Sequence, residues 1–153
     1  MKNKVIYILS GIFALSVILF SCQKKIEKEY NWAYPVAGDW TLKASVDGEE
    51  VAGPFEIKVY NTSFGQDSIW LDDYNGNFYQ IKFKAKVDMS SLTFQTAGSK
   101  NAISGYGINV KLTEGRIINK DSIAFKVEFS DDPGTLYELS GHRTTSYEEY
   151  MQQ

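Results

Sequence analysis

From Trp40 to Arg143 apolar and polar residues alternate one by one in run after run. A period of two puts successive side chains on opposite faces of a strand. The longest run is Phe78 to Val87, in which Tyr79, Ile81, Phe83, Ala85 and Val87 point one way and Lys82, Lys84 and Lys86 the other. An amphipathic helix cannot hold that period. The same pattern predicts strands over Trp40–Val46, Phe55–Val59, Ile108–Leu112 and Ile123–Phe129, with shorter ones at Ile69–Asp72, Leu92–Thr96 and Tyr137–Arg143. Asp47-Gly48, Asn75-Gly76, Glu114-Gly115 and Asp131-Asp132-Pro133-Gly134 supply the turn residues between them. No helical stretch separates consecutive strands, so the expected sheet is an antiparallel meander.

About eight strands with one apolar and one lysine-rich face must cover the apolar face by stacking or by closing. Closure removes exposed edges, and sequential hairpins make it simple. The expected fold is therefore all-β, a closed barrel whose inward side chains include Trp40, Phe55, Tyr79, Phe83, Phe94, Phe125 and Phe129. A barrel of about eight strands is just wide enough to be filled by side chains or to hold one small ligand. Any cavity is expected to be small and apolar.

The N-terminus has a different character. Lys2 and Lys4 precede an apolar run, Val5 to Phe20, that ends in Leu19-Phe20-Ser21-Cys22. The run is short for a spanning helix, which needs roughly 20 apolar residues, and the Ala-x-Ala cleavage pattern is missing. Leu19 to Cys22 resembles the lipobox of bacterial lipoproteins, which implies cleavage before Cys22 and a diacylglycerol on its sulfur. The expected organisation is a signal peptide at 1–21, a lipidated cysteine and tether at 22–35, a barrel at 36–147 and a tail at 148–153. A charged tether of about a dozen residues reaches at most about 40 Å. Gln23 lacks the Asp associated with inner-membrane retention, and the mixed Lys/Glu run is not the acidic block associated with surface export, so this resemblance implies an outer-membrane lipoprotein with its leaflet open.

Cys22 is the only cysteine, so lipidation leaves no thiol for a disulfide, a zinc site or a nucleophile. Removing residues 1–21 takes away Lys2 and Lys4 and no acid, moving the formal net charge from −3 to −5. Nucleic acid is excluded as a partner on that balance, because neutralising phosphates needs a basic surface.

Gly38-Asp39-Trp40 resembles the Gly-x-Trp signature of lipocalins, and Arg143 sits where lipocalins place a basic residue over that tryptophan. Such a pair closes the barrel bottom and contributes about 0.5–2 kcal/mol. Tyr60-Asn61-Thr62, Asp67 to Asp73, Asp121-Ser122-Ile123, Phe129 to Gly134 and Ser140-Gly141-His142-Arg143 together resemble the Bacteroidetes lipoprotein family described as lipid-binding putative hydrolase. The resemblance spans Val36 to Tyr147 and implies a lipocalin-like barrel. It carries an architecture rather than a reaction.

Catalytic signals are thin. His142 is the only histidine, and no Gly-x-Ser-x-Gly elbow occurs. Ser140, two positions back on the same strand face, is too generic a partner to define a triad. Asp73-Tyr74-Asn75-Gly76-Asn77 imitates a calcium loop but places glycine fourth and lacks the closing glutamate, and an Asn-Gly turn explains the same residues. No cofactor or metal is implied. Whether Asp72-Asp73 and Asp131-Asp132 share one barrel mouth is open. Trp70 is the candidate outward-facing indole, since Ile69 and Leu71 take the inward face, and Tyr79 and Phe83 are the other candidate ligand-contacting rings. These features favour a membrane-tethered binding module for a small apolar or amphipathic ligand, or one docked on an outer-membrane protein. The alternative is a hydrolase of lipid, ester or glycan with an unmarked site.

Overall fold

The computed structural model describes residues 30–144. The expected lipidation site Cys22, signal peptide at 1–21 and tether up to Glu29, with residues 145–147 and the expected tail at 148–153, lie outside the described residues. The barrel belongs to the unit Asn31–Gln153.

Eight strands follow one another: β1 (Gly38–Val46), β2 (Glu49–Asn61), β3 (Ser68–Asp72), β4 (Lys82–Asp88), β5 (Thr93–Lys100), β6 (Asn109–Asn119), β7 (Ser122–Phe129) and β8 (Asp132–Arg143). Each pairs antiparallel with the next, and β1 pairs with β8 from Trp40↔Arg143 to Ser45↔Glu138, closing the barrel. The all-β expectation of a closed antiparallel meander is met, and the architecture is consistent with a lipocalin-like barrel. Alternation does the work: Phe83, Ala85 and Val87 of β4 and Ile123, Phe125, Val127 and Phe129 of β7 are buried, while Lys84 and Lys86 are exposed. The interior also holds Trp40, Leu42, Phe55, Ile57, Leu71, Phe94, Leu112 and Leu139.

An up-and-down barrel sorts its connections by parity. The β1–β2, β3–β4, β5–β6 and β7–β8 connections share one end, here called the mouth, and the others share the base with the N-terminal segment. The base is tied by Trp40, whose Nε1 donates to the Val36 carbonyl at 3.2 Å, and by the turn at 32–36, which buries Ala33 and Val36.

Four strand expectations need correction. Phe78 to Ile81 is not the first half of a strand: Asp73 draws the N–H groups of Asn77, Phe78 and Tyr79 onto its carboxylate, so they are not free for a ladder. Glu114-Gly115 is not a turn but a bulge inside β6, with Glu114 at φ 54° and the register slipping between Thr113 and Arg116. A Cβ on Gly115 would collide with the Phe94 carbonyl and ring, so only glycine allows that approach. The last strand starts at Asp132 rather than Tyr137, and Pro133 and Gly134 lie within it, opposite a register slip between Val127 and Phe129 that spares proline a ladder bond. Finally β2 begins at Glu49, because the hairpin arm Glu49–Pro54 pairs with β1 while its side chains are mostly solvent-exposed and carry no core pattern.

Candidate functional site

At the mouth the β3–β4 and β5–β6 loops are each organised by one buried polar side chain. Asp73, 3% exposed, accepts the Asn77 N–H on one oxygen and the Phe78 and Tyr79 N–H groups on the other, at 3.1, 2.9 and 3.0 Å. Asn101, 4% exposed, accepts from the Lys82 and Ile103 N–H groups and donates to the carbonyls of Gln80 and Tyr106. Asn101 therefore links the two loops. Burying either side chain is offset only because its polar atoms are satisfied.

The loops so held present rings to the barrel lumen. Phe78 stacks on Phe55 at 4.9 Å and meets Tyr79 and Tyr137 edge-on at 5.1 and 5.3 Å. Tyr79 lies over Phe129 at 3.8 Å. The phenols are bonded as well: Tyr137 Oη donates to Asp132 at 2.7 Å, which leaves Tyr79 as donor in the 3.3 Å contact between Tyr79 and Tyr137. Tyr106 Oη donates to Asp131 at 2.5 Å. The hydrogen bond to the Asp131 carboxylate pushes the Tyr106 phenol up to about 12, and Tyr79 and then Asp132 raise that of Tyr137. Beside these rings an open cleft of about 450 Å³ is lined by Gly76, Phe78, Tyr79, Gln80, Ser104, Gly105 and Tyr106.

Asp72-Asp73 and Asp131-Asp132 do lie at one end of the barrel. Their carboxylates are spoken for, however: Asp72 accepts from Tyr60 at 2.6 Å and pairs with Lys82 at 3.2 Å. Among the described residues no three His, Cys, Asp or Glu side chains converge as a metal site, and Asp73, the first residue of the calcium-like motif, serves backbone N–H groups.

At the base, Arg143 covers the Trp40 ring with its guanidinium carbon 4.3 Å from the centroid. Its Nη1 donates to the Ala37 carbonyl, Nη2 to Pro35 at 3.2 Å and Nε to Lys120 at 3.3 Å. Gly38, at φ +139°, leaves room for this: a Cβ there would strike Arg143 Nη1.

The family described as lipid-binding putative hydrolase matches the chain over residues 25–148. The chain belongs to that family. No curated protein matches it. Within this member of the lipid-binding putative hydrolase family, the residues singled out from sequence are scattered. Tyr79 is half-buried in the mouth, whereas Phe83, 1% exposed, is sealed in the core and does not line the cleft. Trp70 is half-buried on the outer wall, with Lys84 and Lys82 4.8 and 5.4 Å from its ring centroid. His142 is exposed on β8, paired in register with Thr41 and Ser122 near the base, far along the strand from the mouth. It makes no hydrogen bond to Ser140 or to a carboxylate among the described residues. Phe78, Asn101, Tyr106 and Tyr137, which build the mouth, were not candidates, and Asp73 was weighed only within a calcium-like loop and an acidic cluster.

Proposed function

We propose that the protein is a bacterial lipoprotein, anchored through Cys22 in the outer membrane, whose barrel mouth binds a small apolar or amphipathic ligand. The observation that carries this is the ring assembly of Phe55, Phe78, Tyr79, Phe129 and Tyr137 opening onto the adjacent cleft. The cleft's size falls within the range of small-molecule sites, and its open lining sets the rings of Phe78, Tyr79 and Tyr106 beside a larger polar share from Gln80, Ser104 and loop backbone. An alkyl or ring portion would lie against Phe78 and Tyr79, while Gln80, Ser104 and the Tyr106 hydroxyl offer hydrogen bonds to a polar head. The lipobox and the charged stretch after it support the tethered part of the reading, and the family's lipid-binding description supports the ligand. A lipocalin-like origin in Bacteroidetes fits the Gly38-Asp39-Trp40 and Arg143 pair, and docking on an outer-membrane protein is compatible with the same anchor.

The test uses protein purified from membranes. Lipid extraction should yield a co-purifying amphiphile that Phe78→Ala reduces about tenfold, the equivalent of losing about 1.4 kcal/mol of contact with this half-buried ring. Cys22→Ala should leave an unprocessed chain without palmitate label. Ester and glycoside substrates should not turn over above background. Turnover abolished by His142→Ala would replace binding with hydrolysis, and a barrel that carries no amphiphile with either sequence would remove the ligand.

A further inference from the structure

The barrel wall is not uniform in how it treats its lysines. On β1, β6 and β7, Lys43, Lys111 and Lys126 each reach a glutamate, at 2.8, 2.7 and 3.2 Å respectively. On the wall made by β2, β3 and β4 they lie on rings instead. Lys84 covers Trp70 at 4.8 Å, Lys58 covers Tyr74 at 4.1 Å, and Lys82 sits 5.3 Å from Tyr60 and 5.4 Å from Trp70. Lys82 is also neutralised by Asp72. Among the described residues Lys58, Lys84 and Lys86 make no ion pair; of the acids beside them Glu56 accepts a hydrogen bond from Tyr74, Asp88 at the end of β4 accepts from Ser90, and Asp39 on β1 stands in register with Lys58. In a chain of net charge −3, this wall thus sets four lysines against Glu56, Asp72 and Asp88 around a half-exposed indole and two phenols.

We infer that this wall, centred on Trp70 with Lys58, Lys84 and Lys86, docks on the surface of a bilayer that contains anionic phospholipid. Tryptophan and tyrosine are at home at the headgroup level, and lysines can extend past them to phosphates while their stems cover the rings. The charge sign matches anionic lipid, and each basic residue near such a surface strengthens association. Chain length argues for the same occupant. The barrel unit begins at Asn31, so the eight residues between Cys22 and that point reach at most about 30 Å fully extended. Proximity rests on the tethered reading above; the docking chemistry does not. Tyr74 stands in the loop that carries Phe78 and Tyr79, so a barrel lying on this wall would bring its mouth to the headgroups.

The experiment places acylated wild-type protein in vesicles of phosphatidylcholine, with and without about 30% phosphatidylglycerol, and a headgroup nitroxide as quencher. Trp70 emission is isolated by subtracting Trp70→Phe. Quenching is expected only with phosphatidylglycerol present and should fall severalfold in about 0.5 M NaCl. Lys84→Gln with Lys86→Gln should cut the docked fraction roughly 25-fold, the factor equivalent to about 1 kcal/mol per basic residue. Trp70 quenching that is absent, or equal in both vesicle types and indifferent to salt and to the lysine changes, would overturn the docking and turn the wall toward a protein partner. Flotation with pure phosphatidylcholine vesicles at high salt reports the anchor separately. If it fails, the anchor is wrong, and the docking is still decided by Trp70 quenching of the free protein on anionic vesicles.

Discussion

At the base of the barrel one cation does most of the tying: Arg143 spans three carbonyls and covers one indole, and Gly38 leaves it the space. At the mouth Lys82 pairs with Asp72 on the outer wall, but among the described residues no cation lies on Phe55, Phe78, Tyr79, Phe129 or Tyr137. Neutral rings stack on one another there, and the loops that bear them hang from the two buried side chains Asp73 and Asn101. The base spends its polar groups on backbone that would otherwise be orphaned, which fixes a single arrangement. The mouth relies on ring contacts, which are weakly directional, so a ligand carbon can take the place of a ring carbon at little loss. Two ends of one small barrel are thus built for different ends: one to hold, one to exchange.

The strongest way to break that comparison is at the base. Arg143→Ala removes a cation–π contact worth about 0.5–2 kcal/mol and charged hydrogen bonds worth about 1.5–3 kcal/mol each, discounted for partial exposure. A stability loss of about 2–4 kcal/mol by urea unfolding is expected, with the amphiphile content of the folded protein unchanged. A double-mutant cycle with Trp40→Phe should show coupling rather than additivity. Additive effects, or a loss of ligand equal to that of a mouth variant, would show that the two ends are not separate in function.

A smaller effect with the opposite signature is expected at Asp73. Asp73→Ala strips three N–H groups of their acceptor inside the protein, at a cost of about 1–3 kcal/mol. Because Phe78 and Tyr79 are two of the three residues released, ligand retention should fall about tenfold, the equivalent of about 1.4 kcal/mol. Asp73→Asn keeps one acceptor oxygen and should recover part of both losses. Retention unchanged in Asp73→Ala would mean that the loop does not position the rings.

The two ends were not equally legible in the sequence. The base could be read through the lipocalin resemblance, because the local Gly38-Asp39-Trp40 signature at a strand start and Arg143 at the end of the last strand imply the pair. The mouth could not, because Asp73 acts through a local capture of N–H groups and Asn101 through tertiary hydrogen bonds, and neither leaves a periodic mark. Phe78 was expected opposite Tyr79 on a strand, and only the capture of its N–H by Asp73 bends the chain so that both rings enter the mouth. A period of two records which side chains are buried, not whether the backbone is in a ladder; Ile81 is buried from a loop. Glu114-Gly115 carried the letters of a turn, and its bulge becomes visible only with Phe94 beside it. The placing of Asp72-Asp73 and Asp131-Asp132 at one end was available all along, since in an up-and-down barrel the connections after β3 and β7 share an end by parity.

The finest test of the comparison is its response to alkali. Tyr106 and Tyr137 at the mouth have phenols raised above the ordinary 10.0, Tyr106 to about 12, by hydrogen bonds to Asp131 and to Tyr79 and Asp132. A raised phenol means that the folded chain holds its proton where the unfolded chain has lost it. Stability from these groups is therefore fully present below about pH 10 and declines as pH rises through 10 toward 12. Tyr106→Phe should flatten the fall in urea midpoint between those limits, and phenolate absorbance should show one fewer late-titrating tyrosine. The base has no raised phenol among Trp40, Arg143 and their partners, so Arg143→Ala should lower the whole profile without changing its alkaline slope. An alkaline slope that survives Tyr106→Phe intact would mean that Tyr106 does not hold its proton late, and one that vanishes with Arg143→Ala would place the titrating groups at the base.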